Sequence, residues 1–254
     1  MTERRMERLR PDQFRRLRQE MPLAYLPLGI LEWHGPQNPM GLDGVKAHAV
    51  CRRVAEQVGG IVFPTMYYGP PPASNYVEVD GFRPEFTAAY GLPDDHFATN
   101  RFRFGDRVDQ WHLFGRVLDQ ALRQIARYGF EAILVLSGHY PLRMQQYVTI
   151  GIQRDFGIPV WFGHEGESCD PPEGDHAGWW ETSVTMALEP DTVDPGAFPS
   201  AGEPNPPGVG GKPVSEVTPE VARHNLERAV VGLVSQARTL LEQRAHLQQR
   251  KENR

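Results

Sequence analysis

Residues 24–43 read AYLPLGILEWHGPQNPMGLD, and the reading of the rest of the chain follows from them. Residues 24–31 form a continuous apolar run, the pattern of a buried strand. Glu32 and His34 follow two apart, so a strand that ends there sends both side chains off the same face. Asp43 comes after a loop rich in glycine and proline that can fold it back toward that face. Two carboxylates and an imidazole make a mixed oxygen and nitrogen donor set. Such a set suits zinc, manganese or iron, not calcium or a thiolate-bound metal. An isolated E-x-H also arises by chance, so the segment needs partners elsewhere in the chain.

Working outward, residues 44–58 carry Val45, Ala49, Val54 and Val58 at helical spacing and are stopped by Gly59-Gly60. GGIVFPTMYYG then reads as a strand and loop. Strand, helix, strand is the start of a parallel α/β sheet. Upstream, Arg4, Arg5, Arg8, Arg10, Arg15, Arg16 and Arg18 surround a helix expected to begin near Pro11, with Asp12, Phe14, Leu17 and Met21 on one side. These arginines read as a solvated face or a subunit contact. Downstream, residues 70–107 lose all periodicity, and a loop of that length with so many aromatics reads as a substrate lid, a subunit-bridging arm or a packed insertion.

Periodicity returns over 110–128, with Leu113, Val117, Leu118, Ala121, Leu122 and Ile125 expected on the buried side and Gly129 as the stop. FEAILVLSGHY follows as the clearest buried strand. His139 would emerge at the carboxyl end of a central parallel strand, where open α/β sheets bind ligands, although a strand-end histidine is also a common structural residue. Residues 141–156 read as a helix and IPVWFG as a further strand. The loop EGESCDPPEGDHAGWW leads into ETSVTMAL, with Glu181 at the helix start. A carboxylate there has a purely structural explanation in the helix dipole. Residues 190–217 read as an extended loop. Its Gly208-Val209-Gly210-Gly211 follows no strand and is no dinucleotide fingerprint. A long helix over 218–249 is expected to pack through Val221, Leu226, Val230, Leu233, Val234, Ala237, Leu240 and Leu241, with a fraying tail over 248–254. No internal repeat is visible.

The 254 residues suit one domain, 1–254, with long inserted loops at about 70–107 and 190–217. Hydrophobic content of 40% against 23% charged residues is ordinary for a soluble globular chain and enough for a real core. No apolar segment approaches the ~20 residues of a membrane span, and the basic start lacks a signal-peptide core, so a cytoplasmic protein with no membrane partner is expected. A net charge of -5 argues against a broad nucleic-acid surface. Cys51 and Cys169 form no C-x-x-C pair and read as a buried small residue and a loop residue.

LPLGILEWHGPQNPMGLD, LVLSGHYPLR and GDHAGWWETSVTMALEP occur in the order and at the separations found in the creatininase (creatinine amidohydrolase) family, and the chain resembles that family from about Leu26 to Pro190. The resemblance implies an α/β fold, a three-layer α/β/α sandwich with a mostly parallel central sheet. It further implies a metal-dependent amidohydrolase with two divalent metal ions per chain (Zn, Mn or Fe), assembled as a hexamer. Carried over by motif, the metal ligands are Glu32, His34, Asp43, His139 and Glu181, with Asp43 bridging. His176 transfers a proton near the leaving group and Glu181 belongs to the same catalytic set. Asp175 is then placed to orient or charge-tune the His176 imidazole, unless the adjacent side chains point apart.

The chain also departs from the family pattern. Gln37 and Asn38 stand where relatives often carry a histidine after HGP. Creatinine-hydrolysing members have a glutamate ligand two residues after the strand-end histidine, and here that position is Pro141, which has no ligating side chain. The fifth ligand is then Glu181, and the expected substrate moves from creatinine toward other small rings. Arg143 adds a charge that suits a substrate carboxylate or phosphate, or equally a surface ion pair. Trp33, Tyr140, Trp179 and Trp180 lie beside motif residues and suit a flat ring, with core packing as the alternative; Trp161, within a strand, reads as core. The expected reaction is hydrolysis of a small cyclic amide. Opening of a carbohydrate-derived cyclic ketone or lactone, or a non-catalytic metal-binding role, are the alternatives.

Overall fold

Apolar runs alternate with amphipathic segments along the chain, and they fold as strands and covering helices. The computed structural model describes residues 2–70, 88–93 and 107–252. Within them the elements run α1 (Pro11–Glu20), β1 (Leu23–Leu28), α2 (Leu42–Val58), β2 (Ile61–Val62), α3 (Arg107–Arg127), β3 (Ala132–Ser137), α4 (Val148–Phe156), β4 (Val160–Gly163), α5 (Trp179–Leu188) and α6 (Pro219–Glu252). Most of the loop expected over 70–107 lies outside the described residues.

The described strands form one parallel sheet in the order β2-β1-β3-β4. Every residue of β1 and β3 is buried, because helices cover both faces. Alternation along the strands divides the core in two. Ala24, Leu26, Leu28, Ile133 and Val135 face a layer that includes Leu17, Phe114, Leu118, Leu122 and Ile152 from α1, α3 and α4. Leu23, Tyr25, Ala132, Leu134 and Leu136 face Val50, Val54, Trp180, Val184, Leu233 and Ala237 from α2, α5 and α6. This is the expected three-layer α/β/α sandwich.

Several local expectations are corrected. Strand β1 ends at Leu28, so Glu32 and His34 leave from the loop beyond it and not from the strand itself. The second strand shrinks to Ile61–Val62 and is continued by a bridge between Leu28 and Met66. Residues Tyr140–Tyr147 form a 3-10 segment before α4 begins. On α3, Leu113 and Val117 are 64% and 50% exposed, while Phe114, Leu118, Leu122 and Ile125 face the core. An i, i+4, i+8, i+11 stripe satisfies helical spacing from either starting point, and only contact with the sheet chooses between them.

Topology positions the site. From β1 the chain crosses through α2 to β2 on one side, whereas β3 pairs with β1 on its other side and is followed by α4 on the opposite face. The carboxyl ends of β1 and β3 therefore flank a switch point, the usual ligand crevice of such sheets. Two glycines let α2 start inside it. A Cβ on Gly29 would collide with the backbone of Gly44, and one on Gly138 would collide with the Asp43 carbonyl oxygen. Asp43, in the first turn of α2, is thus held between the two strand ends.

Candidate metal centre

Glu32 and His34 hang from the loop after β1, Asp43 from the start of α2, His139 from the end of β3 and Glu181 from the first turn of α5. All five are at most 3% exposed. Each has a reason to sit where it does. The turn carrying Glu32 is closed by its own N–H donating to the Met40 carbonyl. His34 Nδ1 lies 3.1 Å from the Glu32 carbonyl oxygen, which fixes the tautomer with Nδ1 protonated and aims the Nε2 lone pair inward. That Nε2 is 3.1 Å from Asp43 Oδ1, 3.8 Å from Glu32 Oε1 and 3.9 Å from Glu181 Oε2. His139 Nδ1 is 2.8 Å from Glu32 Oε1 and 3.3 Å from Asp43 Oδ2.

These atoms fall into sets of three whose donors all lie within 4.8 Å of one another: Glu32, Asp43 and His139; His34, Asp43 and Glu181; and Glu32, His34 and His176. The first two share Asp43. Both Glu32 carboxylate oxygens and Asp43 Oδ2 are buried without a hydrogen bond of acceptable geometry, although imidazole nitrogens are close to them. Short distances without alignment are the mark of groups converging on a common centre rather than on each other. The donor set and its orphaned oxygens fit one or two divalent ions of the Zn, Mn or Fe type.

The electrostatics agree. Burial alone would push both imidazoles down, but Asp43, Glu32 and Glu181 hold His34 up at about 9, and Asp43 and Glu32 hold His139 up at about 10. Burial likewise pushes Asp43 up, and the two imidazoles outweigh it and hold its carboxyl well below the ordinary range. A buried cluster with three carboxylates demands positive charge, which protons or metal ions supply.

His176 stands over the cluster. Its ring packs on His34 at 4.7 Å between centroids, its Nε2 lies 3.0 Å from the Trp33 carbonyl oxygen and its Nδ1 is 3.8 Å from Glu32 Oε1. Burial, then the neighbouring His34, push its pKa below the usual histidine value. Asp175 does not reach it. The Asp175 carboxylate turns away to accept the N–H groups of Gly178, Trp180 and Glu181, capping the first turn of α5, and burial followed by the Glu181 charge pushes it up to about 7.

Between them, Ala177 adopts φ 57, a left-handed conformation rare for a residue with a Cβ. Its carbonyl accepts from Gln37 Nε2 at 3.0 Å and Thr182 Oγ1 at 2.9 Å, and its N–H donates to Glu181 Oε2 at 2.8 Å. Asn38 completes the clamp through 2.9 and 3.0 Å bonds to Thr182 Oγ1 and the His34 carbonyl. Gln37 and Asn38 therefore hold the loop carrying His176 against the loop carrying His34.

The remaining expected substrate residues are dispersed. Trp33 is half-buried on the rim, its indole N–H donating to the Pro207 carbonyl at 3.0 Å and its ring edge-on to Tyr90. The loop over 190–217 closes on this side, with Gly210 N–H donating to the His176 carbonyl. Trp179 lies under Lys212, whose Nζ is 4.4 Å from the ring centre. Tyr140 stacks on His164 at 4.0 Å. Trp180 is 1% exposed inside the core, away from any open surface. Arg143 is half-exposed and pairs with Glu167 at 3.0 Å.

Two charged residues escaped the sequence reading. Lys46 is fully buried, with Nζ 2.6 Å from Glu181 Oε1 and 2.7 Å from Glu165 Oε1. The available signal was a lysine on the Asp43, Ala47, Val50 face of α2, where a charge is out of place. Glu165, in a glycine- and proline-rich loop, carried no such signal.

The comparisons with known proteins agree with this geometry. The family model described as creatininase, creatinine amidohydrolase, matches residues 7–78 and 87–239. The chain is 31% identical over 192 residues to a creatinine amidohydrolase of Pseudomonas putida, an alignment covering 66% of this chain and 65% of the relative's length. A crystal structure of creatinine amidohydrolase superposes with TM-score 0.67 at 22% identity, covering 92% of this chain and 96% of the other. A putative creatinine amidohydrolase from Bacteroides fragilis NCTC 9343 gives 0.66 at 17% identity, over 94% of this chain and 97% of the other. With the family's model matched over nearly all of the chain and the same fold bringing the candidate metal donors together, this protein belongs to the creatininase family.

Proposed function

We propose that this protein is a metal-dependent hydrolase that cleaves a C–N bond of a small cyclic amide. The observation that carries the reading is the pair of three-ligand sets sharing Asp43. Glu32, Asp43 and His139 would hold one divalent ion, and His34, Asp43 and Glu181 the other, Asp43 belonging to both sets. When bound, divalent ions held by these residues would supply Lewis acidity, lowering the pKa of water and polarising a carbonyl.

The chain's own groups supply the rest. His34 is kept as a ligand by the Glu32 carbonyl on its far nitrogen. His176 donates from Nε2 to the Trp33 carbonyl, which leaves Nδ1 facing the carboxylate cluster as the atom that holds and passes a proton. Its lowered pKa keeps it neutral near pH 7, so it can accept a proton during attack and return it to the departing nitrogen. Trp33, whose carbonyl accepts from His176, offers an aromatic wall for a flat substrate ring. Tyr140 and Trp180 act from behind the donor cluster, through their hydrogen bonds to Glu165.

We also place residues 1–254 in one domain of a cytoplasmic homo-oligomer, a hexamer on the family resemblance. Leu113, Val117, Tyr147 and Ile150 on and beside the packed pair α3 and α4 are exposed and apolar, which supports assembly with further copies. Light scattering on the purified chain reads the oligomer.

The test is metal analysis together with turnover of a panel of cyclic amides and lactones. About two ions per chain and amide hydrolysis that disappears in Glu32→Gln and His139→Ala are expected. Lactone turnover without amide turnover would replace the substrate class. Full metal loading with no turnover on any ring would favour a binding role.

A further inference from the structure

Glu181 is held by more than its helix. Its Oε2 accepts the Ala177 N–H, while Oε1 is taken by the Lys46 ammonium at 2.6 Å. Lys46 comes from α2, one turn after Asp43, and is fully buried. A buried ammonium survives only when its charge is matched. Here the match is double, because Glu165 Oε1 lies 2.7 Å away on the other side. Glu165 is itself fixed by the Tyr140 hydroxyl at 3.0 Å and the Trp180 indole N–H at 3.2 Å. The Tyr140 ring also lies 4.8 Å beneath the ammonium. Burial would push Glu165 up, but Lys46 outweighs it and holds the carboxyl below the ordinary range.

Charge and geometry together give this group a purpose. Lys46 and Glu165 cancel, so Glu181 keeps its full negative charge for the ligand cluster while losing the freedom to rotate. With Oε1 committed to the ammonium, only Oε2 faces His34 Nε2, at 3.9 Å. We propose that Lys46 and Glu165 form a positioning pair that fixes Glu181 so that one oxygen, Oε2, is offered as a metal donor beside His34 and Asp43. This rests on Glu181 being a ligand, as proposed above. It also gives Tyr140 and Trp180 their place, as the groups that hold Glu165.

The experiment titrates the metal-stripped 254-residue chain with Mn²⁺ and reads stoichiometry and affinity for each ion, with the melting temperature of the metal-free protein as the structural control. The variants are Lys46→Met/Glu165→Gln, which removes both buried charges together, Glu165→Gln alone and Glu181→Gln. The double variant should bind its first ion as wild type does and its second about 10–100-fold more weakly, the usual effect of removing a group that orients a ligand. Glu165→Gln should weaken the same ion, because Lys46 then draws fully on Glu181. It carries the test by itself if the double variant fails to fold. Two ions bound with wild-type affinity in the Lys46 and Glu165 variants, while Glu181→Gln loses one, would overturn the positioning role alone. Tighter binding without Lys46 would make the ammonium a competitor and overturn it as well. Two ions retained by Glu181→Gln would instead overturn the ligand assignment.

Discussion

At the scale of single residues, His176 and the two cluster histidines, His34 and His139, have opposite electrostatic settings within a few ångströms. His34 and His139 are embedded among carboxylates that hold them protonated in the absence of other cations, whereas His176 is pushed toward the neutral form by burial and by its neighbour His34. That difference separates residues suited to hold metal from one suited to move a proton. His176→Ala should therefore keep its metal while kcat falls by roughly 10²–10⁴, the usual worth of a general acid or base. Metal analysis alongside kinetics checks this, and loss of an ion in the variant would make His176 a ligand, as its proximity to Glu32 and His34 permits. Lys46 is the residue whose role reading along the chain did not reveal. Its spacing from Asp43 put it on a buried face, but its two carboxylate partners lie more than a hundred residues away.

At the scale of elements, the site depends on where α2 and α5 begin. The start of α2 is wedged between the ends of β1 and β3 by glycines that tolerate backbone contact. Gly138→Ala should displace Asp43 and, because both ligand sets share that residue, lower the bound metal well below two ions per chain. Unchanged metal content would show that the strand end can yield. The start of α5 is capped by Asp175, so Asp175→Ala should cost about 0.5–2 kcal/mol in denaturant unfolding, the range measured for lost helix caps. The packing of α3 gives a further test. Leu118→Ala should cost about 2–5 kcal/mol, whereas Leu113→Ala, on the exposed side offered for assembly, should leave the core packing intact and show its effect in the oligomer read by light scattering.

At the scale of the whole molecule, the proposed ligands come from four separate elements or the loops that follow them, so an ion held there would tie α2, α5 and the ends of β1 and β3 together. Metal binding is then coupled to folding. Adding Zn²⁺ or Mn²⁺ to stripped protein at about a hundred times its dissociation constant should raise stability by about 2.7 kcal/mol, seen as a higher melting temperature that chelator reverses. A melting temperature indifferent to metal would argue against an ion bridging these elements.

The alternation of apolar runs with amphipathic helices determined the α/β architecture from sequence alone, because burial on both faces of a parallel sheet leaves uninterrupted runs such as residues 132–136. Glu32, His34 and Asp43 stood out as a candidate donor set by residue type and spacing, whereas His139 and Glu181 joined them only through the family resemblance, because a strand-end histidine and a carboxylate at a helix start each have a structural explanation of their own. Tertiary structure decided what periodicity cannot encode. It chose which stripe of α3 faces the sheet, turned Asp175 from His176 to the helix end, sent Trp180 into the core and paired Lys46 with Glu165 and Glu181. Local spacing sets which residues share a face of one element, whereas a buried charge is matched by whatever the fold brings opposite it. For this chain that match, a lysine between two glutamates, lies directly behind the ligand cluster.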